Sequence, residues 1–361
     1  MSEVDPLIGR MLLGRYRVVG RLAQGGMGVV YLARLEGAAG FTKPVVLKRI
    51  LPDLEQKEMM GMFVREARIL GKLRHPNIAS ILDFSEEDGA NVMVLEYVHG
   101  YDVGHWRRYV RSARGSFDLE IALYIVVSVL EALAHAHHLV QPDGSITQIV
   151  HRDISPSNVL VDTEGHVKLL DFGVARMLGG ESGLYKTAEI TIKGKIPYVA
   201  PELLQGGTPS PQGDVYACAV VLHELLVGRN ELRGNDMNDT VLRVFSHVPC
   251  PISEVRDDVP PELDAILARQ LSKSPEVRLQ TANEFASALR SIQKLAPDEL
   301  RRRLVAQLRE DYEAMPAATG VTPLADRERA WRIPTETLIA RELDTEPNVG
   351  GPPSSLPPTV A

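Results

Sequence analysis

The chain has 361 residues, of which 44% are hydrophobic and 24% are charged, a composition that suits one bilobal domain or two smaller domains. Its net charge of −7 argues against a general binder of nucleic acids or of anionic membranes. The two cysteines, Cys218 and Cys250, stand in no metal-ligand spacing and form no disulfide framework, which favours a reducing compartment.

Residues 1–14 predict a short leader, and they lack the continuous apolar core that follows a basic start in a secretory signal. The longest apolar stretch, 121–139, is interrupted by Ser128, Glu131 and three histidines. We therefore expect a buried helix there and no window that meets the requirement for a membrane span. Together these features predict a cytoplasmic protein without a sensor domain.

Residues 16–90 predict mainly strands, because "YRVVGRL" and "GVVYLARL" flank a glycine-rich turn and "PVVLKRI" is a third β-branched run. Glycines in this turn would let the backbone approach a phosphate group closely, although taken alone they more simply indicate a plain β-hairpin. One helix interrupts the strands, with Met59, Phe63, Ala67 and Leu70 spaced three and four residues apart.

Helical patterns predominate from about residue 100, so a break between two lobes is predicted near residues 95–100. Residues 294–315 predict an amphipathic helix that either packs against the main domain or contacts a partner; its apolar positions are Leu300, Leu304 and Leu308. Eight of the last 46 residues are proline, so residues 316–361 predict a disordered tail.

Several polar motifs follow one another in order. Lys48 lies in the third strand run and Glu66 lies in the following helix; taken singly, each would be a solvated surface charge. Further along come "HRDISPSN" (151–158), "DFG" (171–173), "APE" (200–202), "DVYA" (214–217) and "SPEVR" (274–278). In this order and spacing the motifs resemble those of the eukaryotic-like (Hanks-type) serine/threonine protein kinases of bacteria.

The resemblance extends from about residue 16 to residue 292. It implies an α+β, bilobal protein-kinase fold over residues 15–293. A small β-rich N-lobe would cover about 15–97, and a larger, mainly helical C-lobe would cover about 98–293.

The resemblance also implies that ATP binds between the lobes. Val46 would lie against the adenine, Leu95 would be the gatekeeper, and the backbones of Glu96 and Val98 would face the base. Asp102 would hold the ribose, although an exposed turn aspartate is nearly as good an interpretation. The implied ATP-binding residues are Leu22, Ala23 (where the family has its first glycine), Gly25, Gly26, Gly28, Val30, Val46, Lys48, Leu95, Glu96, Val98 and Asp102.

For the chemistry, the family pattern implies that Lys48, oriented by Glu66, holds the α- and β-phosphates. Asp153 would accept or orient the proton of the substrate hydroxyl group. Asn158 and Asp171 would bind Mg²⁺, with Mn²⁺ as an alternative ion, because hard cations prefer oxygen ligands.

Other motif residues carry structural or regulatory roles in the family. The implied structural residues are His151, Phe172, Glu202, Asp214 and Arg278, of which Arg278 would pair with Glu202. Arg152 would receive a phosphorylated residue of the activation loop through charge-assisted hydrogen bonds. Thr187 is closest to the usual activating position and Thr191 is a second candidate, so we expect autophosphorylation at Thr187.

One residue departs from the family pattern. Ser155 stands where a serine/threonine kinase has a lysine, and Lys195 stands where it has a threonine. We interpret this as an exchange, in which a hydroxyl–lysine pair survives in reverse and Lys195 supplies the cation beside the transferred phosphate. The alternative is that Lys195 is a solvated loop lysine and Ser155 a simple loss.

The sequence therefore predicts an active kinase that transfers the γ-phosphoryl group of Mg·ATP to serine or threonine of protein substrates. Tyrosine is a less favoured target, although the missing threonine weakens that preference. The alternative is a catalytically silent pseudokinase that acts as a scaffold for ATP or a partner. Threonines of the tail could be read by phosphothreonine-binding modules, and the oligomeric state stays open. A metal site at "HAHH" (135–138) is disfavoured, because its spacing suits a helix end.

Overall fold

The computed structural model of the protein describes residues 5–25, 28–50, 57–172 and 195–314. In the described residues, the N-terminal part is one antiparallel sheet with the strand order β1-β2-β3-β4-β6-β5. Its strands are β1 (Met11–Leu12), β2 (Tyr16–Gly25), β3 (Gly28–Glu36), β4 (Thr42–Ile50), β5 (Ile81–Glu87) and β6 (Ala90–Glu96). Helix α1 (Lys57–Leu70) buries Phe63, Ala67 and Leu70 beside this sheet.

The alternation of side chains along β4 brings Lys48 into the cleft between the lobes. Val45 and Leu47 are fully buried in an apolar cluster with Val92 and Val94 of β6. Because successive residues of a strand point to opposite faces, Lys48 lies on the other face of the sheet, the face that α1 covers.

Part of the predicted leader belongs to this sheet. Met11 pairs with Arg17 and Leu12 pairs with Tyr16, while Leu7 and Leu12 are buried in the same cluster as Val45. These residues, which precede the boundary that we predicted at residue 15, thus bury apolar surface against the N-lobe sheet.

The C-terminal part is mainly helical. Its helices are α2 (Val103–Arg114), α3 (Leu119–His137), α4 (Pro201–Leu204), α5 (Pro211–Val227), α6 (Met237–Ser246), α7 (Pro261–Gln270), α8 (Ala282–Arg290) and α9 (Pro297–Ala314). A small sheet of order β11-β10-β7 and a hairpin β8-β9 accompany them. These strands are β7 (Gly100–Asp102), β8 (Leu139–Val140), β9 (Ile146–Thr147), β10 (Val159–Asp162) and β11 (Val167–Leu169). The predicted α+β, two-lobed architecture is confirmed.

Helix α3 lies at the centre of the C-lobe. By length and apolar composition it is long enough to cross a membrane, so our expectation that no window would qualify was wrong. In the structure 78% of that window is buried, and α3 packs against α5, α8 and α9. Its apolar surface is therefore covered by the protein's own helices.

Helix α9 docks onto the C-lobe through one apolar stripe. Leu300, Leu304 and Leu308 are buried, four residues apart on one face. Asp311 of the same helix is fully buried, where it accepts a hydrogen bond from Trp106 Nε1 at 2.7 Å. The contact with the main domain that the sequence left open is thus present, while residues 315–361 lie outside the described residues.

Candidate active site

A three-residue ion-pair network joins the two lobes. Lys48 Nζ lies 2.9 Å from Glu66 Oε1 in α1 and 3.2 Å from Asp171 Oδ1, which follows β11. Burial lowers the pKa of Lys48, but Asp171 and Glu66 outweigh it, and the net pKa is raised. Lys48 lowers the pKa of Asp171. Lys48 is therefore a cation and Asp171 a carboxylate over the physiological range of pH.

Asp214, near the start of α5, holds the backbone of the loop at 151–153. Its Oδ2 accepts a hydrogen bond from the His151 N–H at 2.7 Å, and its Oδ1 accepts one from the Arg152 N–H at 2.8 Å. His137 Nε2 lies 2.9 Å from the same carboxylate. The side chain of Asp214 is buried, so its contacts replace the water that a buried carboxylate loses.

These contacts offset backbone strain at Arg152. Arg152 has a φ of 69°, a conformation that is unfavourable for a residue with a Cβ atom. Asp171 also has a positive φ, 42°. Strain of this kind persists only where the surroundings enforce it, and here it occurs next to Asp153 and at the carboxylate that contacts Lys48.

The ring of His151 connects this loop to the segment of Asp171. Its Nε2 donates to the Leu170 carbonyl oxygen at 2.8 Å, and its Nδ1 accepts from the Asp153 N–H at 3.2 Å. The ring centre of Phe172 lies 4.7 Å from that of His151. Burial lowers the pKa of His151, so the imidazole is neutral and can accept at Nδ1.

Asp153 lies in a group with Asn158 and Lys195. Asn158 Nδ2 donates to the Asp153 carbonyl oxygen at 2.7 Å and to Asp153 Oδ2 at 2.8 Å. Lys195 Nζ lies 2.5 Å from Asp153 Oδ2 and 3.4 Å from Asn158 Oδ1. Lys195 precedes the short helical turn Ile196–Tyr198, so a segment about forty residues away supplies a cation to this carboxylate.

The predicted pair between Ser155 and Lys195 does not form in the described structure. Ser155 is buried, and its Oγ contacts Ser157 Oγ at 3.1 Å. Lys195 bonds to the Asp153 carboxylate instead, because an ammonium group is attracted more strongly by an opposite charge than by a neutral hydroxyl group. The exchange therefore places the lysine beside Asp153 without a reversed hydroxyl–lysine contact.

The hinge between the lobes follows β6. Leu95 pairs with Val46 across the sheet, and Val98 is buried. The Glu96 side chain binds Lys168 Nζ at 2.8 Å, and its N–H donates to the Ser80 carbonyl oxygen at 2.9 Å. Leu22 and Tyr97 both pack against the buried residues Val19 of β2 and Leu32 of β3.

The glycine loop is described only at its base. Gly25 pairs with Gly28, and Ala23 pairs with Val30, while Gly26 lies outside the described residues. A Cβ atom at Gly28, which has a φ of +141°, would lie 2.3 Å from the Arg49 carbonyl oxygen. The close approach of β4 therefore requires glycine at this position, independently of any phosphate group.

Asp102 has a local role that neither interpretation of the sequence included. It is the N-cap of α2, and its Oδ1 accepts a hydrogen bond from the His105 N–H at 2.7 Å. An aspartate at this position satisfies one of the unpaired donors of the first helical turn.

A buried ion pair fixes the segment after Lys195. Arg278, which is fully buried, donates to both carboxylate oxygens of Glu202, at 2.8 and 2.9 Å. Its guanidinium group lies 4.6 Å from the ring centre of Tyr216, and its Nε donates to the Ser272 carbonyl oxygen. This two-pronged geometry is the strongest form of an arginine–carboxylate contact.

Sequence reasoning missed Glu224 of α5. Its carboxylate is fully buried and accepts hydrogen bonds from Tyr198 Oη at 2.6 Å, from Asn230 Nδ2 at 3.2 Å and from Arg107. An acid within the apolar run "ACAVVLHELLVG" was the signal that could have found it, because a buried carboxylate needs partners. Sequence reasoning considered His137 only as a metal ligand and did not predict its contact with Asp214.

The donor set suits a hard divalent cation. Asp171 is ionised and its side chain is 47% exposed, and Asn158 offers an amide oxygen. Together with the Lys48 ammonium group, these residues would hold the phosphates of ATP and their Mg²⁺ ion, which would neutralise charge on the phosphate oxygens. Thr187 and Thr191 lie outside the described residues.

Comparison with known proteins decides the family. The family model described as "Protein kinase domain" matches residues 16–289. The chain belongs to the protein kinase family. It is 38% identical over 279 residues to the tyrosine-protein kinase MasK of Myxococcus xanthus and 31% identical over 343 residues to the serine/threonine-protein kinase PrkC of Bacillus subtilis.

These matches cover 76% and 95% of this chain but 42% and 50% of MasK and PrkC. The kinase thus spans half or less of the length of these two relatives. The crystal structure of a mutant kinase domain of PknI from Mycobacterium tuberculosis superimposes with a TM-score of 0.56. It shares 28% identity, and the match covers 81% of this chain and 99% of that one. The resemblance to bacterial Hanks-type kinases is confirmed.

Proposed function

We propose that this kinase is catalytically active and transfers the γ-phosphoryl group of Mg·ATP to serine or threonine residues of protein substrates. The observation that carries the proposal is the complete ion-pair network of Lys48, Glu66 and Asp171 opposite Asp153. The catalytic and metal-binding residues of the family pattern, Asp153, Asn158 and Asp171, are present beside this network, and the complete set disfavours the pseudokinase alternative.

In the transfer step, the substrate hydroxyl oxygen bonds to the γ-phosphorus atom, the bond to the β-phosphate oxygen breaks, and ADP leaves. Asp153 accepts the hydroxyl proton. Lys48 positions the phosphates, while Lys195 places a positive charge beside Asp153, where negative charge spreads during transfer. The rigid loop held by Asp214 keeps these groups in place.

The first test is incubation of the full chain with [γ-³²P]ATP and Mg²⁺ or Mn²⁺, alone and with a generic protein substrate. We expect labelling of both, and loss of labelling in the Asp171→Ala variant. Equal labelling of the variant, or none in the unmodified chain, would support the silent scaffold instead.

Phosphoamino acid analysis of the labelled protein decides the acceptor. Serine and threonine are expected, since PrkC and several other relatives are named serine/threonine kinases. Tyrosine is a second candidate, because the relative MasK, at 38% identity, is named a tyrosine-protein kinase. Label on phosphotyrosine alone would overturn the serine/threonine assignment.

We also propose activation by autophosphorylation at Thr187, with Thr191 as the alternative. Arg152 supports this idea, because Asp214 fixes its backbone beside Asp153 and the family uses an arginine at this position for phosphate binding. Phosphopeptide mapping of the active chain and of the Asp153→Asn variant tests it. An unmodified loop in the active chain would contradict it.

A further inference from the structure

A second group of chemically reactive side chains lies at the other end of helix α5, around the loop that joins it to α6. His223, Glu231 and Cys250 each bring one donor atom into a group whose atoms lie within 4.8 Å of one another. His223 is buried in α5, Glu231 follows α5, and Cys250 follows α6. Three separate segments of the chain therefore converge on one point.

His247 adds a fourth donor. Its Nε2 atom lies 3.5 Å from Glu231 Oε2; this nitrogen is buried and has no hydrogen-bond partner among the described residues. His247 and Cys250 are separated by two residues, a spacing that lets one loop offer two ligands to the same ion. Our view that the cysteines stand in no ligand spacing therefore overlooked the neighbouring histidine.

Two of the distances between donor atoms are close to those between the ligands of a bound zinc ion. Cys250 Sγ lies 3.4 Å from Glu231 Oε1, and the His247 nitrogen lies 3.5 Å from the other carboxylate oxygen. Two ligands of one tetrahedral Zn²⁺ ion lie about 3.3–3.6 Å apart, given Zn–N, Zn–O and Zn–S bonds of about 2.0–2.3 Å. The donor atoms of His223, Glu231 and Cys250 lie within 4.8 Å of one another, so side-chain rotations must bring the remaining pairs to these distances when an ion binds.

From this geometry we infer that His223, Glu231, His247 and Cys250 form a binding site for a transition-metal ion of the zinc class. Imidazole, thiolate and carboxylate together are a ligand set that suits Zn²⁺. A thiolate and a carboxylate with two neutral imidazoles balance the two positive charges of the ion. Four protein ligands leave no open position, so the ion is structural rather than catalytic.

Several hydrogen bonds among these residues must change when a metal ion binds. Arg229 Nη2 lies 2.7 Å from Oε1, the Cys250 N–H donates to Oε2 at 2.9 Å, and the Cys250 thiol donates to Oε1. His223 Nε2 donates to the Cys250 carbonyl oxygen at 2.9 Å. When a metal binds, the thiol loses its proton and Arg229, whose side chain is 57% exposed, moves away into solvent.

The site is connected to the substrate side of the cleft. Asn230, next to Glu231, donates to the buried carboxylate of Glu224, which also binds Tyr198. Tyr198 belongs to the turn that follows Lys195. A metal ion would therefore fix the loop that supports this turn.

The test uses the full chain, stripped of metal with a chelator and titrated with Co²⁺ in the absence of nucleotide. We expect one Co²⁺ per chain, with the visible bands of tetrahedral cobalt and the near-ultraviolet band of a cobalt–thiolate bond, and displacement by Zn²⁺. The Cys250→Ser variant should lose the thiolate band. The His247→Gln variant, at a half-exposed position, should bind at least about tenfold more weakly.

Matched controls are Cys218→Ser, which changes the other cysteine, and His138→Gln, which changes an exposed histidine. Both should bind like the unmodified chain, and so should Asp171→Asn, which alters the nucleotide cleft. The inference fails if no stoichiometric binding occurs, if the thiolate band survives in Cys250→Ser, or if Cys218→Ser abolishes it. The group is then a hydrogen-bond network only. None of these outcomes depends on kinase activity.

Discussion

Lys195 Nζ lies 2.5 Å from Asp153 Oδ2, so the carboxylate of the HRD motif is paired with a lysine from the segment just before the "APE" motif. In the sequence the two residues are 42 positions apart. The family's own lysine position is occupied by Ser155, which is buried and turned toward Ser157. The cation thus reaches the same carboxylate from a different segment of the chain.

Removal of this cation should impair catalysis more than binding. We expect Lys195→Thr to lower kcat/KM about 10²–10³-fold, with the KM for ATP little changed, because a preorganised charge near the transferred phosphoryl group is lost. Steady-state kinetics on a fixed protein substrate measure the effect.

A double-mutant cycle then asks whether a lysine at 155 can replace the one at 195. Ser155→Lys should restore much of the activity of Lys195→Thr, yet add little or nothing in the unmodified chain. Additive effects of the two substitutions on kcat/KM would show that the two positions do not share one role.

Replacing only one partner of the pair of Arg278 and Glu202 should lower the stability of the protein. We expect Arg278→Met to lower the free energy of unfolding by about 3–5 kcal/mol, since it leaves the Glu202 carboxylate without its buried partner. Urea denaturation followed by circular dichroism measures this loss. The double variant with Glu202→Gln should be more stable than Arg278→Met alone; a double variant that is less stable would contradict this explanation.

Stability should fall in mild acid because His151 is buried as a neutral ring. Burial lowers its pKa below the ordinary value of 6.5. Between the two pKa values the unfolded chain binds more protons than the folded one, so stability is lost as the pH falls below about 6.5. Each buried neutral histidine of this kind lowers the free energy of unfolding by at most about 1.4 kcal/mol per pH unit.

The pKa values of His75 and His223 are also lowered, so both residues add to the loss of stability as the pH falls. Urea denaturation between pH 7.5 and pH 5.5 should therefore give a shallower dependence for His151→Gln than for the unmodified chain. Identical slopes for the two proteins would show that His151 is protonated as easily in the folded state as in the unfolded one.

Helix α9 should be part of the folding unit. Leu304→Ala should lower the free energy of unfolding by about 2–5 kcal/mol, since it leaves a cavity against the C-lobe core. Leu242→Ala, at a residue that is 64% exposed, is the matched control and should change it by less than about 0.5 kcal/mol.

Asp311→Ala tests the polar contact of the same helix. It leaves Trp106 Nε1 without its acceptor and Arg114 without its partner, so a loss of about 3 kcal/mol is expected. If Asp311→Ala and Leu304→Ala both unfold like the unmodified chain, α9 does not stabilise the C-lobe.

Much of the fold followed from local patterns. The β-branched runs before and around Lys48, the helical spacing from Met59 to Leu70 and the change to helical patterns near residue 100 predicted a break between two lobes, while the kinase fold and its cleft came from the family resemblance. The pairs of Lys48 with Glu66 and of Arg278 with Glu202 came from the family resemblance, and the structure brings both together.

Other features could not be predicted, because they depend on which segments meet. The contact of His137 with Asp214 joins residues 77 positions apart, and that of Trp106 with Asp311 joins residues 205 apart. No local periodicity encodes such a pairing. For the same reason no sequence pattern indicated that Leu7 and Leu12 belong to the apolar core, since they are buried only when the sheet is assembled.

By itself, the sequence determined the residue types that the chemistry needs: a lysine on a strand, carboxylates in two loops, and glycines at a turn. Tertiary structure decided where the charges go. Lys195 pairs with Asp153 and not with Ser155 because a carboxylate attracts an ammonium group more strongly than a hydroxyl group does. In the same way, a histidine, a glutamate and a cysteine that have no common motif meet at the end of α5 because three segments pack there.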